Sequence, residues 1–114
     1  MSFFDSEVVR AEMAEISELQ EEVYQNVFKF PSMTTEEKLF HVKIMERLLD
    51  KQKVLYTRLS LSDDPDAKQM KDKIIESAQM MGLSSDVDMQ TIFGNMSKML
   101  EVMKTRIDET GSDL

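Results

Sequence analysis

Apolar residues recur at helical spacing along almost the whole chain. Val9, Ile16, Val23 and Phe30 repeat every seven residues, and Met13, Leu19 and Val27 fill the same stripe. This predicts a first helix from about Asp5 to Phe28, capped by Asp5 or Ser6. Pro31 closes it by disfavouring helical geometry at Phe30. A second helix is expected from Thr34, because Thr34 and Glu37 have the spacing of a capping box. Its stripe runs Val42, Met45, Leu49, Tyr56 and Leu59, widened by Ile44, Leu48 and Leu55. A face that wide meets two neighbours.

Ser62-Asp-Asp-Pro-Asp66 punctuates the chain. Asp64 suits an N-cap and Pro65 the first helical position, where a missing N–H costs nothing. The third helix then carries a narrow stripe of Ala67, Met70, Ile74, Ala78 and Met81, stopped by a Gly82 cap with Leu83 behind it. A fourth helix is expected from Ser85 or Asp86 to about Asp108. Met89, Met96 and Met103 repeat every seven residues there, joined by Ile92, Met99, Leu100 and Ile107. Gly94 falls on the opposite face. Short connections favour antiparallel neighbours. The expected fold is all-α: a long antiparallel helical hairpin followed by a shorter one, in a single domain over residues 1–114 with a frayed tail at 109–114.

Composition narrows the function. The 114 residues include no Cys, no Trp and one His, which removes thiolate chemistry and soft-metal sites. The three Gly residues form no phosphate-cradling loop. No run approaches the roughly 20 apolar residues of a membrane span, and the acidic opening lacks the basic start of a signal peptide. A cytoplasmic protein is expected. The net charge of −8 opposes direct nucleic-acid binding. Residues 5–28 hold seven acids and one Arg, whereas residues 36–59 hold six basic and four acidic side chains. Met outnumbers Leu, eleven to ten. Because Met packs adaptably, the Met89, Met96 and Met103 face is read either as core, the favoured reading, or as an adaptable groove.

A few polar residues break the stripes. Glu7, Glu15, Glu18, Glu21 and Glu22 face away from the first apolar stripe and read as a solvated acidic face. A carboxylate di-iron site needs Glu-x-x-His pairs, and the chain has none. Glu12 lies at the edge of the apolar face, and Gln52 and His41 lie at the centre of the second stripe. With the turn centred near residue 32, Glu12 should oppose Gln52 as a register-setting hydrogen bond, and His41 should oppose Val23. Ile75 and Met80 fall off the third stripe and are further interface candidates. No nucleophile, base and oxyanion set can be assembled. The expectation is a protein that is not an enzyme and holds no cofactor or metal.

The opening Phe3-Phe-Asp-Ser-Glu7 resembles that of an uncharacterised family of short proteins from cyanobacteria and their tailed phages. Met45-Glu-Arg-Leu-Leu-Asp50 looks like that family's long second helix, Arg58-Leu-Ser-Leu-Ser-Asp63 like its ending, and Met80-Met-Gly-Leu83 like the turn before its last helix. The Asp64-Pro65 junction departs from the pattern. The resemblance implies an all-helical fold and a cyanobacterial or cyanophage origin, with the host cytoplasm as the location in the phage case. It implies no activity. The leading expectation is a self-associating helical protein–protein interaction module, a homo-oligomer with room for an unknown protein partner. The alternative is a small acidic regulator, of cyanobacterial or phage origin, that binds host transcription or other nucleic-acid machinery through protein contacts.

Overall fold

The computed structural model describes residues 2–80 and 88–110, the side chains of 77–80 and 110 excepted. A 3-10 turn at Phe3–Asp5 leads into α1, Glu7–Asn26. A second 3-10 segment, Val27–Ser32, leads into α2, Thr35–Leu61. α3 spans Pro65–Met80 and α4 spans Met89–Thr110. The described residues contain no strand.

Each described start has a local cause. The Ser6 hydroxyl accepts from the Val9 N–H and caps α1. Thr34 and Glu37 form the expected capping box, with bonds of 3.2 and 3.1 Å. α3 opens on Pro65, with the Asp64 carboxylate accepting from the Asp66 N–H at 2.9 Å. Asp88 accepts from the Gln90 N–H at 3.2 Å and caps α4. The expected start at Ser85 or Asp86, the Gly82–Leu83 cap and the tail at 111–114 lie outside the described residues.

α1 stops at Asn26, two residues before the expected Phe28. Pro31 has no N–H to return to the carbonyl four residues back, so the segment tightens to 3-10 instead of continuing the α ladder.

α2 is the spine. α1, α3 and α4 all pack on it. α1 and α4 run antiparallel to it, as the pairs Glu15–Lys51 and Glu12–Arg58, and Lys104–Glu46 and Tyr56–Phe93, require. Among the described residues, α1 and α4 have no comparable packing on each other. The wide apolar face of α2 is therefore used inside the chain: Val42, Leu49, Leu55, Tyr56 and Leu59 are buried.

The consequence is a divided core. Val9, Ile16, Leu55, Leu59 and Ala67 join α1, α2 and α3 in one cluster. Leu49, Tyr56 and Phe93 join α2 and α4 in another. Ile74 touches both. Phe3 and Phe4 pack against the first cluster. They are held there by a clasp in which the Phe3 N–H donates to the second Asp64 oxygen and the Ser2 hydroxyl donates to Asp66 at 3.1 Å. The radius of gyration is 16.2 Å, against about 13 Å for a compact domain of this length.

Candidate interaction surface

Charge organises one side of the α1–α2 hairpin. Lys51 Nζ donates to Glu15 at 2.6 Å, and Arg47 approaches the same carboxylate at 3.9 Å. The Lys51 bond holds the Glu15 carboxyl below its ordinary range. Arg58 Nε donates to Glu12 at 3.1 Å. The acidic first helix and basic second helix thus meet within one chain.

This corrects the register expectation. Glu12 pairs with Arg58, not Gln52. At 100° per residue, Gln52 and Arg58 point about 120° apart around α2. Gln52 turns toward the far side of the hairpin, whereas Glu12 lines a cleft with Arg47, Asp50 and Lys51. A carboxylate also gains more from a charge-assisted bond than from an amide. The other Glu12 oxygen is buried without a hydrogen-bond partner.

At the turn end, His41 is buried, with its ring 5.5 Å from that of Phe30. Burial depresses its pKa below the ordinary 6.5, and the neighbouring Glu22 charge partly opposes that. Glu22 is adjacent to the Val23 expected opposite His41. Lys38 is also buried, with its ammonium 5.5 Å from the Phe30 ring centre. Nothing in the apolar periodicity marks Lys38, because its long stem packs as an apolar group would. Around this end Tyr24, Phe40 and Phe28 stand exposed, Phe28 at 93%.

The far side of the hairpin carries a groove of about 360 Å³. It runs between the two core clusters. It is lined by Ile16 and Gln20 of α1, Gln52 and Tyr56 of α2, Ile74 of α3, and Met89 and Met96 of α4. Its lining is almost wholly apolar.

α4 shows two faces where one was expected. Phe93, Leu100 and Ile107 turn toward α2, with Phe93 and Ile107 buried. Phe93 packs edge-on against Tyr56 at 5.8 Å between ring centres. The methionines sit at the margin: Met89 and Met103 are half-buried, Met96 is 44% exposed and Met99 65%. Met89 packs against the cluster of Leu49, Tyr56 and Phe93, and the expected core reading is corrected for Met96, which is exposed. Phe93 was absent from the expected stripe, although it stands seven residues before Leu100 and fourteen before Ile107. Ile75 is half-buried, and the Met80 side chain lies outside the described residues.

Among the described residues, no group of three or more His, Asp or Glu side chains is placed to hold a metal ion. No helix among them is long and apolar enough to cross a membrane.

An all-helical protein with one central helix, a split core and an apolar groove between its halves is the class that this geometry defines. The chain belongs to the family described as domain of unknown function DUF1825, which matches residues 1–107. No curated protein and no solved structure matches it.

Proposed function

We propose that this chain is a non-enzymatic helical interaction module that self-associates. The observation behind the reading is the apolar surface left uncovered. Large apolar side chains stand exposed at the turn end and along α4. Exposed apolar side chains grouped in this way mark a surface that meets something. Within α1, Glu12 and Glu15 are engaged by Arg58, Lys51 and Arg47, which leaves fewer of its acids to dock a basic protein surface.

Sedimentation equilibrium on the full chain tests the proposal. A species heavier than 13.2 kDa at micromolar concentration is expected. A single species of monomer mass up to high micromolar concentration would remove it.

A further inference from the structure

Resting on that self-association, we infer which surface mediates it: the groove between the two core clusters takes the methionine face of α4 from a second copy, and each copy does the same for the other.

Three observations point to this occupant. The first is the divided core. The buried residues fall into two clusters bridged by the half-buried Ile74. Here Ile16 and Leu55 on one side and Tyr56 and Phe93 on the other line the two flanks of one apolar groove. A helix seated there would join the halves.

The second is that the chain carries a helical face of matching chemistry. Met96 and Met99 are exposed on α4, and Met96 also lines the groove. A twofold axis beside α4 therefore offers each copy both a groove and an occupant, as an isologous interface requires. Unbranched methionines can adjust to one another across such an axis.

The third is charge. The chain carries −8, but residues 89–103 contain only Lys98 and Glu101. Two copies can approach through this stretch without the repulsion that most of the surface would impose.

The test combines three proteins. Wild type is measured by sedimentation equilibrium beside Met99→Glu and Phe28→Glu, with circular dichroism as the check on folding. Met99→Glu places a charge in the proposed interface and should weaken self-association by about tenfold or more. Phe28→Glu, on the exposed turn-end patch, should leave it unchanged. A fourth variant, Met99→Cys, gives the chain its single thiol and should form a disulfide-linked dimer on mild oxidation. If Met99→Glu loses helicity, the cysteine variant decides. A wild-type dimer that survives Met99→Glu, with no cross-link from Met99→Cys, overturns the groove and leaves self-association through another surface. Loss of the dimer in Phe28→Glu alone moves the interface to the turn end. A monomeric wild type overturns both this inference and the proposal beneath it.

Discussion

Two sets on α4 share a seven-residue spacing and differ in burial. Of Phe93, Leu100 and Ile107, Phe93 and Ile107 are buried, while of Met89, Met96 and Met103 none is buried and Met96 is exposed. Periodicity alone does not choose between them, since either set could have been the buried one. The choice is made by α2, whose Leu49 and Tyr56 accept the aromatic and branched residues. Stiff, bulky side chains fill the packed centre, and the adaptable methionines run from its margin at Met89 to the open surface at Met96.

The largest expected effect breaks that comparison directly. Ile107→Ala or Phe93→Ala should cost about 2–5 kcal/mol by leaving a cavity in a packed site. Met99→Ala, on the exposed face, should change stability by no more than about 0.5 kcal/mol. Denaturant unfolding, at a protein concentration low enough to keep monomers, measures both. Equal costs would mean that the two faces are not energetically distinct.

A second prediction concerns acid, and its two windows are separable. His41 has its pKa depressed by burial, so the unfolded chain takes up the proton more readily than the folded one. Stability from this residue is complete above the ordinary 6.5 and falls as pH drops below it, by at most about 1.4 kcal/mol per pH unit. The carboxyls of Glu15, Glu37 and Asp64 are also depressed, the first by Lys51, the second by the Thr34 cap and the third by the Asp66 N–H. Their contribution is lost only as pH falls below the ordinary carboxylate range near 4. Melting between pH 7.5 and 5 should decline in wild type and stay flat in His41→Leu. An equal slope in both would free His41 from this role.

Much of the frame was legible. Thr34 with Glu37, Asp64 with Pro65, and Ser6 announce their helix starts because a cap is a local bargain between neighbouring residues. The side-chain register was less legible. The Glu12–Gln52 pairing failed because a facing-residue count treats α2 as a line, whereas Glu12 and Gln52 look to different sides of it. The groove lay beyond sequence reasoning for the same cause: its lining comes from all four helices. The clasp between Phe3 and Asp64, 61 positions apart in the chain, has no periodic signature at all. It gives a third prediction. Asp64→Ala removes both the α3 cap and the anchor of the opening turn, and should lower the melting temperature. Hydrogen exchange should show faster exchange at the Phe3 amide as well as at the start of α3. Faster exchange in α3 alone would mean that the clasp contributes nothing to the cap's worth.

The smallest effect sharpens the contrast between the charged and apolar sides of the hairpin. Glu12 and Arg58 form a partly exposed pair, so a double-mutant cycle with alanine at each should give coupling of about 0.2–1 kcal/mol. Additive effects would leave the charged side without a register function. The single mutants should be unequal. Glu12→Ala removes a buried oxygen that already lacks a hydrogen-bond partner, so part of its lost attraction is offset by the desolvation it no longer suffers. Arg58→Ala leaves the carboxylate in place without the Arg58 guanidinium, and its desolvation cost then stands uncompensated. Arg58→Ala should therefore be the more destabilising of the two, by thermal melting at neutral pH. The reverse order would mean that the stem of Arg58 packs little and that the Glu12 side chain stabilises the hairpin through its methylenes.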